Sequence, residues 1–127
     1  MYGALNNTMK IGIANDHAGS ELKRQIVEYL KNELNISAVN NFGADIDKSV
    51  DYPDYAKKIV AAIESKNIDY GILICGSGIG MSICANRNNH VRAALCYNSE
   101  IAKLSREHND ANVLVLGAKF ISFEEAK

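Results

Sequence analysis

No stretch of this chain approaches the roughly 18 consecutive apolar residues that a membrane-spanning helix needs, and the N-terminus lacks the charged and apolar regions of a secretory signal. A dense basic stripe is also missing. Lys+Arg number 14 against 15 for Asp+Glu, a formal net charge of -1, and aromatics for stacking on bases are few, which argues against nucleic acid as a partner. The three cysteines, Cys75, Cys84 and Cys96, are odd in number and lack metal-ligand spacing, so neither a disulfide framework nor a structural metal is expected. Reduced thiols in a cytoplasm are the expectation. Internal repeats and low-complexity segments are absent. What remains is 127 residues, 47% of them hydrophobic, enough to fill the core of a single domain.

Residues 1–8 are polar and patternless and are set apart as a leader or tag-like segment, with the folded domain expected over 9–127. Lys10 to Ala14 predicts a first strand, followed by Asn15, Asp16 and His17. From Glu21, apolar residues at Leu22, Ile26, Leu30 and Leu34 keep helical spacing while Lys23, Arg24, Glu28 and Lys31 cover the other face. Ile36 to Phe42 suits a second strand closed by Gly43, and a polar loop from Asp45 to Asp51 leads to Tyr52-Pro53. Proline fits the first turn of a helix, where its missing N–H costs nothing, and Ala56, Ile59, Val60 and Ile63 then form an apolar stripe. Further elements are expected as a strand ending at Cys75, a helix from Gly78 to about Asn89, a strand from Val91 to Cys96, a helix from Ser99 to Glu107, a strand from Asn112 to Leu116 and a helix beginning near Ser122. Strands alternating with helices at this spacing predict an α/β fold. It is a three-layer, Rossmann-like domain with a five-stranded parallel sheet and helices on both faces.

The chemistry concentrates in Asp69 to Ile83, DYGILICGSGIGMSI. Ile72 to Ile74 has the length and β-branched content of a strand buried on both faces. At Cys75 glycines take over, Gly76, Gly78 and Gly80 alternating with Ser77 and Ile79, and a helical pattern follows. A strand, glycine turn and helix leaves backbone N–H groups free to hold an anion. Familiar glycine motifs fit poorly. A dinucleotide fingerprint needs a third glycine where Met81 stands, a P-loop needs a Gly-Lys-Ser/Thr ending, and a cysteine phosphatase loop needs an arginine again at Met81. An oxyanion or phosphate cradle with a thiol at its rim survives.

Ligands of open parallel sheets bind beyond the carboxyl ends of the strands, so Asp16 and His17 after the first strand and Cys75 after the third should share one crevice. A cysteine beside exposed N–H groups suits a catalytic role, whereas Cys84 and Cys96 read as small buried hydrophobes. Asp16 and Asp51 each have a structural alternative as helix caps. His108 ends a helix that runs back from the crevice by about 15 Å of helix length. Either it is a C-cap favourable to the helix dipole or it completes the crevice of a neighbouring subunit.

Taken together, Asn15-Asp16-His17, Asp51-Tyr52-Pro53, Cys75-Gly-Ser-Gly-Ile-Gly80, Asn86 and Ser105-Arg106-Glu107-His108-Asn109-Asp110 resemble the ribose-5-phosphate isomerase B family over about Met9 to Lys127. The resemblance implies an aldose-ketose isomerase of the pentose phosphate pathway. It would interconvert ribose 5-phosphate and ribulose 5-phosphate without metal or cofactor, as a homodimer with shared sites. By position, Cys75 would move the proton between C2 and C1, and Gly76, Ser77, Gly78, Ile79 and Gly80 would hold the enediolate oxygens. His108 would open the sugar ring, while Asp16, His17, Asp51 and Asn109 bind substrate. Related galactose-6-phosphate isomerases divide the catalytic residues between two chains, whereas Cys75 and His108 occur together here; a galactose- or allose-6-phosphate activity is the neighbouring alternative. The family's arginine-bearing C-terminal tail has no counterpart up to Lys127, and Lys119 stands where relatives carry an arginine. A sugar-phosphate-binding domain with weak turnover is therefore the alternative from another class.

Overall fold

The computed structural model describes residues 8–45 and 48–127. Most of the expected leader, residues 1–7, and Ile46 and Asp47 of the polar loop lie outside the described residues. Strands β1 (Lys10–Asn15), β2 (Ala38–Asn41), β3 (Tyr70–Cys75), β4 (Ala93–Leu95) and β5 (Val113–Gly117) form one five-stranded sheet in the order β2-β1-β3-β5-β4. Every pairing is parallel. Helices α1 (Ser20–Glu28), α2 (Tyr52–Glu64), α3 (Ile79–Ala85), α4 (Ser99–Asn109) and α5 (Phe123–Ala126) supply the connections and the chain's last element.

Period-two alternation in β3 explains the two cores. Leu73 and Cys75 pack with Ala56, Ile59 and Val60 of α2 and Met81 and Ala85 of α3. Ile72 and Ile74 pack on the opposite face with Leu22 and Ile26 of α1 and, from α5, the half-buried Phe123. A strand buried on both sides reads as the continuous apolar run seen in the sequence. Met81, the residue that stands where two of the glycine motifs need a glycine or an arginine, is fully buried in the first core. That position faces α2 and the sheet, where neither a glycine nor an arginine would meet a ligand.

Several boundaries differ from the expected ones. The helix expected from Gly78 to about Asn89 stops at Ala85. Asn86 ends it by pairing its side-chain amide with the backbone of Ala93, donating to the carbonyl at 2.9 Å and accepting from the N–H at 2.7 Å. This local bond competes with the next helical turn and directs the chain toward β4. The helix expected from Glu21 leaves α geometry at Tyr29 for a π-helical turn, Tyr29–Glu33, that keeps Leu30 buried. Beyond it, β2 and β4 are shorter than their apolar patterns because both are edge strands, each paired on one side only. Within α4, Ala102 is half-buried, but Ile101 and Leu104 are 42% exposed and no residue is buried. No helix among the described residues is long and apolar enough to cross a membrane.

Leu73 sits at the centre of the sheet with 0% exposure. Leu73→Ala is expected to destabilise the fold by about 2–5 kcal/mol, as a cavity-forming truncation does. Urea unfolding followed by circular dichroism would measure the loss.

Candidate active site

The order β2-β1-β3-β5-β4 reverses direction between β1 and β3, since the crossovers leaving these neighbours run to opposite sides. Chain segments diverge there and leave a crevice at the carboxyl ends. Register makes the strands finish together, with Asn15 beside Ile74 and Cys75 beside Gly117. Backbone bonds carry the alignment one residue further: Asp16 N–H donates to Ile74 carbonyl at 3.0 Å and Ala118 N–H to Cys75 carbonyl at 2.9 Å.

Cys75 is 5% exposed and its sulfur accepts the N–H of Gly78 at 3.2 Å. The turn that aims this N–H needs Gly78 at φ 82, a left-handed conformation that costs a side chain dearly. Close approach explains a second glycine: a Cβ on Gly117 would lie 2.5 Å from the carbonyl oxygen of Ser77. Ser77 Oγ accepts Ile79 N–H at 3.1 Å at the start of α3, leaving its own proton to donate. The Ser77 carbonyl is in turn held by the Tyr97 hydroxyl at 3.1 Å. Among the described residues, the N–H groups of Gly76, Ser77 and Gly80 find no acceptor and remain available to an oxygen of a ligand.

The flanking segments close on this loop. Asp16 performs the structural duty weighed from sequence, accepting Ala18 N–H at 2.9 Å as a cap, and is 9% exposed. His17 accepts Val50 N–H on Nδ1 at 3.3 Å, which puts the proton of the neutral ring on Nε2, free to donate. This bond brings the segment before α2 to the crevice. Asp51 precedes α2, but its side chain makes no cap bond, so its carboxylate has no partner among the described residues. Tyr52 follows it with its ring 2.7 Å from where a Cβ of Gly80 would stand. Lys119 N–H donates to Gly76 carbonyl at 3.0 Å, and a Cβ on Gly76 would lie 3.4 Å from Lys119 Cε. A flexible cation thus overhangs the loop.

Asp16, His17, Asp51 and Cys75 through Gly80 therefore gather at the carboxyl edge of the sheet, while His108 and Asn109 do not join them. They end α4 at the amino edge of the sheet, where Asn109 carbonyl accepts Arg92 Nε–H at 2.6 Å just ahead of β4. The length of β3 separates them from Cys75, about 16 Å at strand rise. Sequence reasoning passed over Tyr52, Tyr97 and Gly117 as site residues. Gly117 carried a signal, a glycine ending a strand; Tyr52 stood inside the Asp51-Tyr52-Pro53 motif without being given a role, and Tyr97 carried no signal. Cys84 and Cys96 are free thiols away from the loop, and burial pushes the Cys96 thiol above its ordinary value. Among the described residues, no group of three or more His, Cys, Asp or Glu side chains could hold a metal ion.

A thiol, N–H donors without an acceptor among the described residues, two aspartates and an imidazole at the switch point of a doubly wound sheet make up a candidate small-molecule site of the α/β enzyme type. The family model described as Ribose/Galactose Isomerase matches residues 11–127, and the chain belongs to that family of sugar phosphate isomerases. It is 53% identical over 114 residues to a Rickettsia bellii protein provisionally named a sugar phosphate isomerase, covering 90% of this chain and 78% of the relative. Identity to ribose-5-phosphate isomerase B of Escherichia coli is 41% over 118 residues, covering 93% and 78% of the two chains. A solved ribose 5-phosphate isomerase from Thermotoga maritima matches with a TM-score of 0.90 at 51% identity, over 93% of this chain and 80% of the other.

Gly78→Ala would set a Cβ 2.4 Å from Leu95 Cδ1 on a backbone at φ 82. The expected outcome is a loss of about 1–3 kcal/mol in stability, seen as a lower urea midpoint with an unchanged slope.

Proposed function

We propose that this protein interconverts ribose 5-phosphate and ribulose 5-phosphate, with Cys75 as the base that moves a proton between adjacent carbons. The observation that carries the reading is the thiol of Cys75 set at a strand end under the unpaired N–H groups of Gly76, Ser77 and Gly80. Removing the C2 proton of the open-chain aldose leaves an enediolate whose negative charge lies first on O1 and passes to O2 when a proton moves from O2 to O1. Fixed N–H donors at that point stabilise the charge as it develops, and a positioned base contributes about 100- to 10,000-fold. The proton then returns to C1. Ser77 supplies a further hydroxyl donor, and Ile79 continues the loop between its glycines.

Asp16, His17 and Asp51 bind the sugar phosphate, with His17 donating from Nε2 and the Asp51 carboxylate, without a partner among the described residues, accepting from hydroxyls. Lys119 adds a positive charge beside Gly76 for the phosphate, although an ammonium lacks the bidentate fork of an arginine. Ribose 5-phosphate is mostly cyclic in water and must open before C2 is acidic. His108, with Asn109 beside it on the substrate, performs that step from a second copy of the chain, protonating the ring oxygen as the O1 proton leaves. A homodimer with two shared sites reconciles the need for this imidazole with its place at the far edge of its own sheet. Ile79 and Ile83 on α3 and Ile101 and Leu104 on α4, 42–61% exposed, give such a pair apolar surface to bury.

Three outcomes test the reading. Cys75→Ala should lower turnover at least about a hundredfold with the fold intact, and Cys84→Ala should be nearly silent. Comparable activity in the Cys75 variant and the parent removes the base. Prolonged chelation should leave activity unchanged, whereas a loss restored by a divalent ion would require a metal. Mixed and exchanged chains of Cys75→Ala and His108→Ala should recover roughly a quarter of parental activity. Half the pairs are then heterodimers, and each has one of its two sites intact. Exchange confirmed by native mass measurement with no recovery would place both residues in one chain's site.

A further inference from the structure

Apolar packing does little to fix α4. None of its residues is buried, and two of its three apolar side chains face outward. Its C-terminal end is held instead by a set of charged contacts centred on Arg106. Arg106 Nη1–H donates to the carbonyl of Ala111 at 2.6 Å and to Asp110 Oδ1 at 3.1 Å. From the other arm of the fork, Nη2–H donates to the Tyr70 hydroxyl at 3.0 Å, and the guanidinium carbon lies 4.9 Å from the centre of the Tyr70 ring.

These contacts bracket two residues of a different kind. Asp110 caps the helix in the left-handed conformation at φ 49, ψ 42, a geometry that a non-glycine residue keeps only where its surroundings hold it. Arg106 grips its carboxylate and the next carbonyl, while Arg92 Nε–H grips the carbonyl of Asn109 at 2.6 Å. Backbone on both sides of His108 is thereby tied to β3 through Tyr70 and to the start of β4 through Arg92. The side chains of His108 and Asn109 make no hydrogen bond or ion pair among the described residues, and both are exposed. The contacts thus fix the backbone and leave these two side chains without a hydrogen-bond partner among the described residues.

We infer that Arg106, seated on Tyr70, is a positioning residue that sets His108 and Asn109 for the active site of a second copy of this chain. This rests on the shared-site reading above. A planar guanidinium reaches three oxygens in two directions while lying on a ring, which an ammonium at the same place does not. A displacement of about 1 Å in a catalytic group can cost on the order of a hundredfold in rate, so loosening this clamp reaches the chemistry without touching substrate.

The test sorts Arg106→Met by the partner that rescues it. Alone, the variant should lose at least about tenfold in turnover, with Arg106→Lys retaining an intermediate activity. Exchanged with Cys75→Ala chains, it should recover about a quarter of parental activity, because one site of each heterodimer joins its sound Cys75 to a correctly held His108. Exchanged with His108→Ala chains, it should gain nothing, since no site then has both. Parental activity in Arg106→Met, or rescue by both partners or by neither, overturns the assignment, because a generally destabilised chain has no reason to distinguish them. If Arg106→Met fails to fold, Arg106→Lys and Tyr70→Phe are put through the same mixtures with the same pattern expected. The mixture of Cys75→Ala with His108→Ala is run in parallel: failure of that control, with exchange confirmed, refutes the shared site itself, whereas its success beside a failed Arg106 pattern refutes only the positioning role.

Discussion

Parallel pairing of β3 with β1 on one side and β5 on the other is the constraint on which the rest depends. Because Asn15 sits beside Ile74 and Gly117 beside Cys75, the chain segments leaving these strands emerge at one level and must share the space above the sheet. The thiol, the capping aspartate and the segment bearing Lys119 are neighbours for that reason. Close contact between Gly117 and the Ser77 carbonyl then presses the glycine loop onto the end of β5. Any side chain at Gly117 would push the loop away from the crevice it forms.

The loop after β2 is held to the same edge by charge. Lys23 on α1 is 4% exposed and donates to Asn41 Oδ1 at 3.1 Å, Ala44 carbonyl at 3.0 Å and Asp45 Oδ1. A buried ammonium is tolerated only with such partners. Its hydrogen bond, with that of the Asn41 amide, holds the Asp45 carboxyl below its ordinary range. Further along, Val50 N–H donates to His17, which brings Asp51 and Tyr52 toward the glycine loop. At the opposite edge, Arg106 and Arg92 perform the corresponding service for the end of α4.

The sequence by itself determined the alternation of strands and helices, because each face of the sheet has to bury an apolar stripe of matching period. It also determined that Asp16, His17 and Cys75 lie at one edge, since a parallel sheet places every strand end of one direction on the same side. It marked His108 as distant from Cys75 through the length of its own helix. Exact ends were less legible: Asn86 halts α3 through bonds to Ala93, a residue seven positions away whose proximity exists only once β4 has joined the sheet. For the same reason the pattern of α4 reads as an amphipathic helix with a core face, yet tertiary structure leaves Ile101 and Leu104 outside. Only the tertiary structure decided that the Asp16 side chain makes a cap bond while that of Asp51 does not, that Tyr52 and Tyr97 touch the glycine loop, and that Arg106 lies on Tyr70. Those outcomes depend on distances between segments far apart in the chain, and local propensity and periodicity carry no information about them.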